Sequence, residues 1–396
     1  RVTKVETKIN WNRPHARSIY PVAGYAVWWD GLHRWPNATE ASQTVVTWSN
    51  FAGHGHKSAD ELSVLFWAAG QTWWTNVGYW PYDHEGRSVA TSWDGSNAPH
   101  FIGEPEKSDR AVRVRYYGWN KRVTAIDIER TGPPGYRVRR QVVGIDGRVY
   151  AVIDSADSLE GLGTRTVWRT HPAVNLAIDK TAGAYRLEAP RHGTSLIAFF
   201  LGSDPFQIDE YNGDAEWFGW LSVDLVPMPT PAIVVEHPPR ATWMATVWSV
   251  EEKDENRALT SSAAMNHWDN FENWSLVIPT SAGPLRVQRD SRDINVQFDV
   301  GAQASLSLRA GVEVSEAREK LRKAWVAVHR TYGDRYRDLG YYRLKITKVL
   351  IILFLLQELF FAASRWFLAR NAYAMLRGIS VAGWVVIGLW LALVYF

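Results

Sequence analysis

Residues 139–158 read RRQVVGIDGRVYAVIDSADS. Two apolar, β-branched runs, Gln141–Ile145 and Arg148–Ile153, flank Asp146-Gly147, a pair that tolerates the positive φ of a type I′ turn. The stretch predicts a β-hairpin, and the chain around it repeats the pattern. Short alternating or apolar segments recur at Val112–Tyr117, Arg122–Ile128, Thr164–Thr170, Ser195–Leu201, Trp217–Val223 and Trp243–Val250, punctuated by Gly, Pro, Asp and Asn. β-branched and aromatic residues are frequent in them, as half-buried pleated surfaces favour. With no long helical pattern from about Val22 to Val300, the chain is expected to be mainly β, a large antiparallel β-sandwich. No repeat at a fixed period interrupts that reading.

Composition narrows the classes further. The 396 residues are 46% hydrophobic and 21% charged and include no cysteine. Disorder and small disulfide scaffolds are excluded, as are thiolate metal sites and cysteine nucleophiles. The net charge of +3 hides an asymmetry: residues 1–317 carry 31 basic and 37 acidic side chains, whereas Arg318–Lys348 carries 10 basic and 3 acidic. The basic excess sits beside an apolar C-terminus rather than over the whole chain, so nucleic acid is not an expected partner.

Around Ser315–Arg330 the apolar period changes. Ala317, Leu321, Ala324, Trp325 and Val328 fall on one helix face, with Arg318, Lys320, Arg322 and Lys323 on the rest. A basic amphipathic helix and juxtamembrane linker are expected over residues 311–348. Its charged face suits either solvent or anionic headgroups, the latter at about 1 kcal/mol per basic residue. Beyond it, Val349–Ser364 reads VLIILFLLQELFFAAS and Ile379–Phe396 reads ISVAGWVVIGLWLALVYF. The second run has 18 uncharged residues, close to the ~20 that cross a bilayer. The first contains Gln357 and Glu358, which need a partner helix or an interface. Residues 349–396 are therefore expected to form a two-helix transmembrane hairpin, with membrane lipid as a partner; a buried hairpin of a soluble domain is the alternative. Arg365, Arg370 and Arg377 at one end of the hairpin and Arg343, Lys345 and Lys348 at the other leave its orientation unset by charge.

Familiar catalytic signatures are missing: there is no GxSxG elbow, Walker loop, HExxH or dinucleotide fingerprint. The one dense polar constellation is Gly53-His54-Gly55-His56, then Asp60, Asn76, Tyr79, Tyr82, Arg87 and His100. Histidines two apart on a strand share a face and are able to share a metal or a sugar.

In its surroundings this constellation resembles the C-terminal sandwich of the heparinase II/III-like polysaccharide lyases. The resemblance is carried by HGHKSADELSVLFWAAGQTWWTNVGYWPYD (residues 54–83) and GRSVATSWDGSNAPHF (residues 86–101), and by the hairpin stretch quoted first. TVWRTHPAVNL (residues 166–176) and the opening strand YPVAGYAVWWDG (residues 20–31) add to it, so that it covers about Tyr20–Val250, within a sandwich domain of residues 1–310. Such lyases cleave uronic-acid polysaccharides by β-elimination, with a base at C5, an acid at the leaving oxygen and a group that quiets the carboxylate. The resemblance implies His54 as acid or base and Arg87 or His100 on the carboxylate. It also implies His56 as a ligand to zinc, as in some members, with Asn76 at the position of an aspartate ligand.

This chain departs from that pattern. An amide at Asn76 is a poorer ligand than a carboxylate. Ser96-Asn97 stands where a third histidine would fall, and His100 comes four residues later. Family lyases also carry an α/α toroid ahead of the sandwich, which the ~20 residues before Tyr20 cannot form. The function expected is therefore a membrane-anchored accessory or structural subunit, non-catalytic, packing against other subunits of a membrane complex. No cofactor is expected, zinc being the only ion the resemblance suggests. The alternative is a polysaccharide lyase with its toroid supplied elsewhere, acting on an acidic polysaccharide. Family habit places the sandwich on the periplasmic or extracytoplasmic side. In Trp28-Trp29 and Trp73-Trp74, alternation along a strand predicts that one of each pair looks outward.

Overall fold

The structure, a computed structural model, describes residues 16–311 apart from 22, 32–40, 49–57, 107–109, 134, 180, 192, 252–258 and 299–300. The expected basic helix and transmembrane hairpin lie outside the described residues. Among those described, the one α-helix is the short Arg87–Thr91, and no helix is long and apolar enough to cross a membrane.

The hairpin legible at residues 139–158 lies in the middle of the fold. Tyr136–Ile145 and Val149–Asp157 pair antiparallel, with Ile145 opposite Val149 and Val142 opposite Val152. The register leaves a three-residue connection, one longer than the minimal turn. Asp146 and Gly147 hold φ of 52° and 67°, and the Arg148 amide donates to the Ile145 carbonyl at 3.1 Å. Gly147 has a second constraint, because a Cβ there would stand 2.4 Å from the Cβ of Asp30.

These two strands sit inside a nine-stranded antiparallel sheet. From one edge its order is Asn175–Asp179, Ala184–Ala189, Thr194–Gly202, Met244–Glu251, Val149–Asp157, Tyr136–Ile145, Val123–Gly132, Ala111–Trp119 and Arg309–Ala310. One face packs against a five-stranded meander running from Arg17–Tyr20 to Gln71–Trp74, and against strands Thr164–Arg169 and Ala232–His237 of a four-stranded sheet. The other face packs against a second five-stranded meander, Ala264–Asn270 to Gln303–Ser307. The sandwich thus has three layers, and the middle one is covered on both sides. Tyr150 and Val152 enter the first core, while Val149, Ala151 and Ile153 enter the second. This double burial is why the central strand reads as a continuous apolar run instead of a strict alternation.

Charge also joins the layers. Asp127 of the middle sheet takes Arg139 at 2.6 Å and Arg289 of the second meander at 2.9 Å, and Asp127 and Arg289 are fully buried. Arg139 also reaches Glu272 at 2.9 Å. Buried charges persist only when paired in this way.

The tryptophan pairs divide. Trp28 is buried and Trp29 half-buried, as alternation predicts. Trp73 and Trp74 are both fully buried, which corrects the expectation for that pair. A register shift opposite them, between Phe66 and Trp67, breaks the alternation. Trp73 donates its indole N–H to the Ala68 carbonyl at 3.0 Å, while Trp74 packs 5.1 Å from Trp168 and 6.2 Å from Trp248.

Candidate functional site

A cleft of about 230 Å³ opens beside the first meander, lined among others by Ser58, Asp60, Asn76, Gly78, Tyr79 and Ser96. One wall follows the strand Gln71–Trp74. Thr75 bridges to Arg169, its amide donating to the Arg169 carbonyl at 3.0 Å. The chain then turns through Gly78 at φ +79°, where a Cβ would meet the Ser222 carbonyl oxygen at 2.4 Å. Only glycine satisfies both conditions. The Ser222 amide donates to Val77 at 2.9 Å and its hydroxyl to the Tyr79 carbonyl at 2.5 Å, which fixes this wall.

The opposite wall comes from the 3-10 turn Trp93–Gly95 and the residues after it. The Ser96 hydroxyl donates to the Ala59 carbonyl at 3.1 Å. The Asn97 amide behaves like an inserted strand residue, accepting from the Val64 N–H at 2.8 Å and donating to the Val64 carbonyl at 2.6 Å. Beneath them, Arg140 donates to the carbonyls of Leu62 at 2.8 Å and Asn97 at 2.7 Å. The floor from Ala59 to Val64 is thereby tied to the middle sheet.

The residues singled out from the sequence fall in different places. His54 and His56 lie outside the described residues; the chain re-enters them at Ser58, in the cleft lining. Asn76 and Ser96, far apart in sequence, share the cleft. The Asn76 Nδ2 donates to the Ser63 hydroxyl at 3.2 Å, and its buried Oδ1 has no hydrogen-bond partner among the described residues. Arg87 donates to the Trp80 carbonyl and holds its guanidinium 4.0 Å from the Tyr82 ring centroid and 5.4 Å from that of Tyr79. Tyr79 and Tyr82 meet edge to face at 6.2 Å, and their mutual hydrogen bond pushes the Tyr82 phenol above its ordinary value. Both rings are exposed, so Arg87 and the two tyrosines form an aromatic and cationic platform at the rim.

His100 is elsewhere. It is buried, with Nδ1 3.0 Å from the Ala98 carbonyl oxygen, Nε2 3.2 Å from Asp94 Oδ1, and its ring stacked on Trp93. Asp94 also meets Arg165 at 3.3 Å, and Arg165 meets Glu236 at 2.7 Å. Burial alone would raise the Asp94 carboxyl; the bonds from His100 and Arg165 outweigh it and hold the group below its usual range. His100 therefore belongs to an ion network of the scaffold and not to the cleft lining.

The described donors do not make a zinc site. Zinc takes imidazole, thiolate or carboxylate ligands. The positions matched to an aspartate and a third histidine hold an amide and a hydroxyl, and the hydroxyl is committed to the Ala59 carbonyl. No three His, Cys, Asp or Glu side chains converge among the described residues. The sequence reading noted Asn97 only as a departure from a ligand position and missed Arg140 and Ser222; all three shape the site across 33 residues or more, through bonds to backbone carbonyls that carry no side-chain signature.

A family model described as heparinase II/III-like, C-terminal, matches residues 12–216. Heparan sulfate lyase HepC from Pedobacter heparinus superposes with a TM-score of 0.58 at 15% identity, covering 69% of this chain and 42% of the lyase. The heparinase III BT4657 gene product superposes with a TM-score of 0.58 at 12% identity, covering 70% of this chain and 42% of that one. A further heparinase III gives 0.56, again at 12% identity. At such identities the likeness shows the fold, and the chain spans less than half the length of these lyases. No curated protein sequence matches. Since the family model spans just over half of the 396 residues, and the three-layer sandwich superposes on the same lyases, the chain belongs to the heparinase II/III-like family, through its C-terminal β-sandwich.

Proposed function

We propose that this chain is a membrane-anchored accessory subunit whose lyase-derived sandwich holds partners instead of cleaving polysaccharide. One observation carries the reading: at the positions where lyase chemistry would need free acids, bases or metal ligands, the described side chains serve the scaffold. Ser96 is bonded to Ala59, His100 is locked to Asp94, and Arg87 is clasped to the Trp80 carbonyl beneath Tyr82. Asn76 offers the cleft an amide that cannot act as a base at neutral pH. Anchoring rests on the uncharged run Ile379–Phe396. Family habit supports a periplasmic or extracytoplasmic sandwich, and protease digestion of intact spheroplasts should then cut it.

An ultraviolet assay for unsaturated uronate, run on the full chain with heparin-like and alginate-like polymers, should detect no product. Product that disappears in His54→Ala would overturn the reading. Native mass analysis of detergent extracts should find the chain bound to other subunits, and a solitary monomer would count against it.

The second reading is a polysaccharide lyase with its toroid on another chain. The unpartnered Asn76 Oδ1 and the Tyr79–Tyr82–Arg87 platform favour it, since together they suit a sugar bearing a carboxylate or sulfate.

A further inference from the structure

Nine large apolar side chains are exposed among the described residues, and five of them come from two adjoining segments: Tyr79 and Tyr82, and Leu225, Val226 and Met228. The Ser222 hydroxyl, bonded to the Tyr79 carbonyl, joins the two. The second segment belongs to a hairpin of Trp220–Val223 with Val226–Pro229, whose turn is Asp224-Leu225. Both turn residues have positive φ, 49° and 67°. Such turns favour Asn and Gly, and a leucine there is strained. Leu225 is 54% exposed, so little burial within the fold offsets that strain. An apolar side chain held in a disfavoured conformation at an exposed tip points to a use outside the fold.

The hairpin's edge restricts what that use is. No charge occurs from Leu225 to Val235, LVPMPTPAIVV. The Thr230 amide donates across to the Gly219 carbonyl at 2.9 Å, so alternate residues of the strand face the ladder and Pro227 and Pro229 fall on its outer edge. Two of that edge's donors are missing, which discourages the addition of a strand from another protein. Contact must be made by side chains.

We propose that Leu225 and Val226 insert into the interfacial layer of the bilayer that anchors the chain. The inference rests on the membrane-anchored reading above. Its occupant follows from the rest of the chain: beyond Gly311, 37 residues precede the apolar run that opens at Val349, and with Ser315–Arg330 helical as its pattern predicts and the other 21 extended they reach about 90 Å. A bilayer is therefore within reach of the tip. Asp224 stands next to the tip, so the insertion at Leu225 and Val226 does not call for anionic headgroups and a zwitterionic surface suits it.

The absence of native cysteine allows single-site labelling. The full chain carrying Leu225→Cys with an environment-sensitive fluorophore would be reconstituted into phosphatidylcholine vesicles with brominated acyl chains. Quenching of the label at least twofold over unbrominated vesicles is expected, with none for Leu159→Cys, a site 87% exposed elsewhere on the sandwich. Equal and weak quenching at both sites, in protein that floats with the vesicles, overturns the inference and leaves the anchor intact. Protein that does not float overturns the anchor and the inference with it. Leu225→Gly should raise the thermal midpoint by relieving the turn; a lower midpoint would give Leu225 a role within the fold and overturn the inference.

Discussion

Arg140 grips Asp154 through two bonds of 2.7 Å at full burial, and its remaining nitrogen reaches the carbonyls of Leu62 and Asn97. A single guanidinium thus fastens both the floor and the far wall of the cleft to the middle sheet. Burial raises the Asp154 carboxyl above its ordinary value even against the pull of Arg140, a sign of how dry the pair is.

Breaking one partner of such a pair leaves the other charge buried and unmatched, at about 3–5 kcal/mol. Asp154→Ala should lower stability by that amount in urea denaturation followed by tryptophan fluorescence. The neighbouring pair Arg137–Asp157 is the control, with side chains 58% and 72% exposed. Asp157→Ala should change stability by less than about 1 kcal/mol. Comparable losses from the two variants would show that Arg140 does not fasten the cleft.

How much of this was legible in the sequence depends on whether a signal was local. The hairpin at residues 139–158 was, because Asp146-Gly147 and its flanking runs lie within one short window. The clustering of Asn76 and Ser96 in one cleft was suggested by the family resemblance, not by periodicity. The third layer was not foreseen: its strands, such as Leu285–Asp290 with its alternate burial of Leu285, Val287 and Arg289, read like any half-exposed strand. The continuous apolar run Val149–Ile153 is the sequence trace of a strand covered on both faces, a meaning that only the two cores of the structure supply. His100 illustrates the opposite limit. Its spacing placed it near the site, yet the side chain turns into Asp94 and Trp93, a choice set by Asp94, which Arg165 holds from the strand Thr164–Arg169 that pairs with His100 in the same sheet.

Gly147 and Gly161 separate two reasons for glycine. Both have positive φ, 67° and 60°. A Cβ at Gly161 meets nothing within 4 Å, whereas one at Gly147 would lie 2.4 Å from Asp30 Cβ. Gly161→Ala should therefore lose only the conformational term, about 1 kcal/mol. Gly147→Ala should lose more, about 2–4 kcal/mol, because overpacking is added to it. Thermal unfolding of the two variants side by side checks the order; equal shifts would mean that the contact with Asp30 is soft.

His237 gives the fold a defined sensitivity to acid. The residue ends the strand Ala232–His237, its ring lies 4.7 Å from that of Phe206, and its buried Nδ1 has no partner among the described residues. Burial pushes its pKa down from 6.5 to about 4. The unfolded chain therefore takes up a proton below about pH 6.5, and the folded chain only below about pH 4. The unfolded state binds more protons throughout that window, so this histidine's contribution is intact at neutral pH and is lost progressively as pH falls from about 6.5 to 4. Each unit is worth about 1.4 kcal/mol, which brings the total to ~3.5 kcal/mol. His237→Gln should remove this part of the slope: denaturant midpoints measured near pH 7, 5 and 4 should converge for the variant relative to the native chain. Parallel pH profiles for the two proteins would show that the ring is protonated in the fold as readily as in water.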